Sequence, residues 1–194
     1  LDGISIVDIS VPSEPFLINQ AHLGSLGKFD PYFFTCAYDM AFSGEFGYAA
    51  CATPMWGGAL GRLQVIDFST QIPLPKIHEF NITGANKVAV AGTLAYVTRC
   101  EEENALDIID FSNLSWPRIA GSLPLAYSPT DIEVSGSSAF VTGDAFGVID
   151  VSDPENPVPI ATLDTPGIDI ALAESLAVIA NGIDLDIIDV SEPA

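Results

Sequence analysis

Val148-Ile149-Asp150-Val151-Ser152-Asp153-Pro154-Glu155-Asn156-Pro157 is the stretch whose reading decides the fold, because the chain writes it repeatedly. Its core returns as Ile6-Val7-Asp8-Ile9-Ser10, Val65-Ile66-Asp67-Phe68-Ser69, Ile108-Ile109-Asp110-Phe111-Ser112 and Ile187-Ile188-Asp189-Val190-Ser191, each with proline soon after. A β-branched run suits a strand, and Asp-Pro or Asn-Pro behind it turns the chain out of the ladder. The anchor aspartates Asp8, Asp67, Asp110, Asp150 and Asp189 stand 59, 43, 40 and 39 residues apart.

A second element recurs in step between the anchors. It reads Tyr38-Asp39-Met40-Ala41-Phe42 to Ala49, then Lys87-Val88-Ala89-Val90 to Val97, then Asp131-Ile132-Glu133-Val134 to Val141, then Asp169-Ile170-Ala171-Leu172 to Ile179. Each copy predicts two short strands around a turn. Gly44, Gly92 and Gly136 occupy three of the turns, where positive φ costs glycine nothing; Glu174-Ser175 in the fourth is expected to turn differently. One unit therefore reads as strand a (Thr130 to Val134), strand b (Ser138 to Thr142), strand c (Phe146 to Val151) and strand d (Val158 to Leu163).

Four strands in a period of roughly 40 residues is the pattern of a β-propeller blade. The expected fold class is all-β, a propeller of four-stranded antiparallel blades. The boundaries are a partial blade at 1–20, a blade with two insertions at 36–82, blades at 86–124 and 129–164, and a partial blade at 167–194. The chain opens on one strand c (Gly3 to Ile9) and closes on another (Leu185 to Val190). That suggests a segment of a larger propeller, or a protomer whose open edges pair with neighbours, since an uncovered strand edge is adhesive.

The recurring phrase, followed by strand pairs containing Ala95-Tyr96-Val97 or Ala139-Phe140-Val141, resembles the LVIVD-repeat proteins, which are bacterial and archaeal β-propellers. The resemblance implies the fold and a common extracytoplasmic or cell-surface location. It brings no shared catalytic residues. The first complete interval departs from the pattern by about 19 added residues.

With 194 residues, 48% of them hydrophobic, the chain can bury a core. Against 26 Asp and Glu it has 6 Lys and Arg, a formal charge of -20. Phosphate binding needs clustered cations, so nucleic acid and anionic membrane surfaces are disfavoured as partners. No apolar run approaches the roughly 20 residues of a membrane helix, so membrane insertion is not expected. Residue 1 is Leu, and any export signal is expected to lie outside this segment or to have been removed.

The added residues, Gln20 to Thr35 and Thr53 to Arg62, enter strand a and leave strand b, so both are expected on one rim. They bring Phe29, Tyr32, Phe33, Phe34, Met55 and Trp56 there, and the next unit adds Glu101, Glu102 and Glu103. Rigid aromatics on long loops make a candidate partner-binding surface; the alternative is a satellite core beneath the loops. Cys36 and Cys51 flank the first hairpin, and an unbroken register would set them diagonally on one face. A disulfide is then feasible if their Cα atoms come within about 7 Å. Cys100 reads as a free or buried thiol, and no Cys-x-x-Cys spacing supports a thiolate metal site.

The anchor aspartates occupy equivalent positions in every unit, which favours a structural role in accepting turn amides. Asp184 with Asp186, or Asp153 with Glu155, offers the oxygen ligands Ca²⁺ takes, but no EF-hand loop is present and no cofactor or metal site is expected. His22 and His78 fall in different units, and no nucleophile–base motif occurs, although propellers can host enzymes. The expected function is a non-enzymatic, extracellular or cell-surface scaffold or interaction module that binds a protein partner or copies of itself, self-assembling through open strand edges. The alternative is an enzyme or a small-ligand or metal-binding protein using the central channel or the aromatic rim.

Overall fold

Each copy of the anchor phrase becomes the third strand of an antiparallel sheet, or, in the first copy, the first strand of a pair. The structure, a computed structural model, describes residues 3–22, 36–53, 60–69, 76–100 and 103–191. β1 (Gly3–Asp8) and β2 (Phe16–His22) form a two-stranded sheet. β3 (Cys36–Ser43), β4 (Phe46–Thr53), β5 (Leu60–Asp67) and β6 (Lys76–Asn81) form the first four-stranded sheet. β7 (Ala85–Ala91), β8 (Leu94–Arg99), β9 (Ala105–Asp110) and β10 (Arg118–Pro124) form the second. β11 (Pro129–Ser135), β12 (Ser138–Gly143), β13 (Phe146–Asp150) and β14 (Val158–Leu163) form the third. β15 (Asp169–Ala173), β16 (Leu176–Ala180) and β17 (Leu185–Asp189) complete the array as a three-stranded sheet.

Every pairing is antiparallel between chain neighbours, and the described residues contain no helix. The result is an all-β array of propeller-like blades. Hairpins of two residues connect strands a and b, with Gly44, Gly92 and Gly136 at φ near +60°. The fourth hairpin corrects the sequence expectation: Glu174 adopts φ 55°, so it turns as the glycines do. Ala173 and Leu176 are paired just as Ser135 and Ser138 are, and this register imposes the left-handed residue whatever its side chain.

Two bulges recur. Strand a carries an extra residue at Tyr38, Asn86 and Thr130, and strand d one at Ile18, Ile77, Ala120 and Ile160. A bulge bends its strand and re-aims the extra side chain. Asn86 Nδ2 accordingly reaches the Pro129 carbonyl of the next sheet at 3.1 Å, and Thr130 Oγ1 reaches the Gly167 carbonyl at 2.7 Å.

The cores lie between sheets. Tyr48, Leu63 and Val65 of the first four-stranded sheet pack on Val88, Val97, Ile109 and Phe111 of the second. Tyr96, Leu106 and Ile108 pack on Ile132, Val141, Ile149 and Val151 of the third. Phe140, Phe146 and Val148 pack on Ile170, Ala177 and Ile179 of the last, beside Ile188 and Val190. Each interface thus joins the forward face of one sheet to the rear face of the next, and each fully buried side chain of this size contributes about 1.5–3 kcal/mol.

Candidate functional site

The innermost strands lie side by side, β3 against β7, β7 against β11 and β11 against β15, and enclose a cavity of about 420 Å³. Its charged lining comes from one repeat position, Asp39, Lys87, Asp131 and Asp169, together with Glu133. Asp39, Lys87 and Asp131 each stand just past the bulge of their a strand, and Asp169 opens β15, which pairs with β16 without one.

Asp39 Oδ2 accepts the Val88 backbone N–H at 2.9 Å, and Asp131 Oδ2 accepts that of Ile170 at 2.9 Å. Each carboxylate therefore ties its strand to the innermost strand of the following sheet. Lys87 stands where a third such carboxylate would be, and its Nζ lies 3.5 Å from Asp131 Oδ1. Burial pushes Asp131 up from 3.8 to about 6, a hydrogen bond with the Asp169 carboxyl adds to the rise, and the Ile170 amide and Lys87 oppose it. Glu133 is raised by burial first and then by the negative charges of Asp39 and Asp169. The cluster holds neighbouring sheets together through the Asp39–Val88 and Asp131–Ile170 bonds.

This row was readable in the sequence as the residue immediately before Met40, Val88, Ile132 and Ile170 in each hairpin. The anchor aspartates repeat more strictly, in every copy of the phrase. Those anchors make local turns instead. Asp67, Asp110, Asp150 and Asp189 accept the backbone N–H of Ser69, Ser112, Ser152 and Ser191 at 2.8, 2.8, 2.8 and 2.9 Å. These bonds hold Asp110, Asp150 and Asp189 below the usual carboxylate range. The Asp8 side chain lies outside the described ones.

Of the rim residues, Phe29, Tyr32, Phe33, Phe34, Met55, Trp56, Glu101 and Glu102 lie outside the described residues, and Glu103 is exposed. The bulge at Tyr38 shifts the hairpin's register, so that Cys51 pairs with Ala37 and Cys36 with Ala52; the Cys36 side chain lies outside the described ones. Cys51 is buried, with its Sγ 3.5 Å from the Ala49 carbonyl. Three of the carboxylates named for Ca²⁺ have protein partners, Glu155 through Arg118 Nη2 at 3.0 Å. Asp153 takes the Glu155 amide at 3.1 Å and Asn156 Nδ2 at 2.8 Å, and Asp186 takes Asn181 Nδ2 at 3.0 Å. Among the described residues no group of three or more His, Cys, Asp or Glu is arranged to hold a metal.

Leu185 and Ile187 of β17 repeat the positions of Leu63 and Val65, Leu106 and Ile108, and Phe146 and Val148, which are at most 6% exposed; here both are 65% exposed.

A family model described as the LVIVD repeat matches residues 2–21, 84–123, 128–165 and 168–194. No curated protein matches the chain. Among solved structures, the crystal structure of the computationally designed Ika4 protein superposes with a TM-score of 0.61 at 10% identity, covering 80% of this chain and 92% of that one. The computationally designed Ika8 protein gives 0.60 at 10% identity over 79% of this chain and 46% of that one. At such identity these two likenesses concern the fold alone.

Proposed function

This chain belongs to the LVIVD-repeat family, and on that premise we propose that it is a non-enzymatic β-propeller scaffold or interaction module, working outside the cytoplasm, whose partner is another protein or a further copy of itself. One observation carries the reading: the charged position repeated along the innermost strands is spent on joining blades, Asp39 to Val88 and Asp131 to Ile170. The extracellular or cell-surface placement rests on the family resemblance, and protease shaving of intact producing cells tests it.

The polar residues of the cavity support the non-enzymatic side of the reading, since Asp39 and Asp131 spend their carboxylates on the backbone of the next blade. The scaffold reading is tested with a screen of hydrolase and lyase substrates. No turnover is the expected result, and a turnover lost on Asp131→Asn would overturn it.

The cavity favours a second reading, a small polar ligand or cation held between Asp39, Lys87, Asp131 and Asp169, as in a ligand-binding or catalytic propeller. A thermal-shift series with divalent cations and small amines tests it, and a flat response ends it.

A further inference from the structure

We infer that the turn between β16 and β17, Asn181-Gly182-Ile183-Asp184, modifies itself: the Asn181 side chain deamidates through a cyclic imide, and the fold promotes the step. Asn181-Gly182 is the chain's single Asn-Gly pair. In this reaction the Gly182 backbone nitrogen attacks Cγ of Asn181 and gives up its proton. The Cγ–Nδ2 bond breaks, Nδ2 leaves with that proton as ammonia, and water then opens the imide to aspartate or isoaspartate.

The geometry of the turn favours the attack. Gly182, at φ 90°, presents its nitrogen with no Cβ beside it to crowd the closing ring. Among the described residues no acceptor takes the Gly182 N–H, so the nucleophile is not held elsewhere. The backbone N–H groups of Ile183 and Asp184 both donate to Asn181 Oδ1, at 3.0 and 2.8 Å. That pair draws electron density from Cγ and stabilises the negative charge gathering on Oδ1 as the new bond forms. Asn181 Nδ2 donates to Asp186 Oδ2 at 3.0 Å, which keeps the side chain in place.

The turn's access to water belongs to its place within a blade. Gly182 is exposed, and so is Asp144 at the same tip of the preceding blade, which has a neighbour on either side. Once modified, residue 181 carries a carboxylate where the amide was. The donor to Asp186 is gone, and two negative charges meet across a gap that a hydrogen bond had spanned. The hairpin of Leu176–Ala180 and Leu185–Asp189 loses a clamp at its turn, and the last blade loosens as the protein ages.

Peptide mapping by mass spectrometry tests this, following residue 181 in the folded chain aged in neutral buffer and in the same chain held unfolded in urea. Conversion is expected to run roughly tenfold or more faster in the folded chain, because unfolding removes both donors to Oδ1. Equal or slower conversion in the folded chain overturns the proposal. The melting temperature of aged wild-type protein is expected to drop as the converted fraction grows, and that of aged Asp186→Asn, which carries no charge there, to drop less. Asn181→Asp, melted without ageing, is expected to fall below the fresh wild type. A melt unchanged both by conversion and by Asn181→Asp overturns the loosening.

Discussion

Asp131 accepts the backbone N–H of Ile170, 39 residues away on the next blade, at 2.9 Å. Asp39 repeats the bond with Val88 at 2.9 Å. An innermost strand has no further strand to pair with on its open edge, and a buried N–H without a partner costs about 1–3 kcal/mol. The carboxylate removes that cost and fixes the stagger between blades. Where Lys87 takes the position, the joint to the next blade is an ion pair with Asp131 and the Asn86 bond to Pro129.

The raised pKa of Asp131 predicts how stability changes with pH. A carboxyl at about 6 in the folded state and near 3.8 when unfolded binds its proton more readily folded. Its contribution is therefore fully present below the unfolded value and is lost as pH rises through 6. Asp110, Asp150 and Asp189, held low, act oppositely and only in stronger acid. Melting temperature is expected to fall between pH 4.5 and 7, as gauged by circular dichroism. Asp131→Asn keeps an acceptor for Ile170, removes the charge beside Asp169 and is expected to flatten that slope.

Asp39→Ala leaves the Val88 amide without its acceptor. Urea denaturation is expected to show a loss of about 1–3 kcal/mol, and Asp39→Asn, which still accepts, a clearly smaller one. Equal losses would mean that charge, not the amide bond, is what Asp39 supplies.

Glu174 holds φ 55° where the other three hairpins use glycine. Glu174→Gly is expected to stabilise the chain by about 1 kcal/mol, the left-handed strain relieved exceeding glycine's extra entropy cost. A calorimetric melt checks it.

Gly147 lies beneath the Tyr127 hydroxyl, which a methyl group at that position would strike. Burial pushes the Tyr127 phenol up to about 12, so it stays protonated in neutral solution, with its O–H directed to the Val141 carbonyl at 3.4 Å. Gly147→Ala is expected to cost about 1–3 kcal/mol through overpacking. In a Tyr127→Phe background the cost is expected to shrink, since the obstructing oxygen is gone; a double-mutant cycle in urea measures the difference.

Much of this molecule was readable before its fold was seen. Strand d spans Val158–Leu163, the bounds its sequence pattern predicts, and strand a, predicted from Thr130 to Val134, extends only to Pro129–Ser135. The anchor aspartates were legible as turn formers, because a carboxylate bonding the amide two residues on is a local event. The inner row was harder. Nothing near Asp131 in sequence marks it as different from Glu133, and its partner amide belongs to a separate blade.

By itself the sequence determined the period, the strands, their antiparallel order and the apolar pattern of each blade face, since side-chain alternation and turn chemistry act within a few residues. Tertiary structure alone decided that Tyr38 bulges and shifts the register of its hairpin, that Glu174 turns left-handed, and that Asp39 and Asp131 fasten neighbouring blades. Those outcomes depend on how sheets some forty residues apart in the chain are stacked and staggered, and packing between distant surfaces leaves no mark on the local sequence pattern.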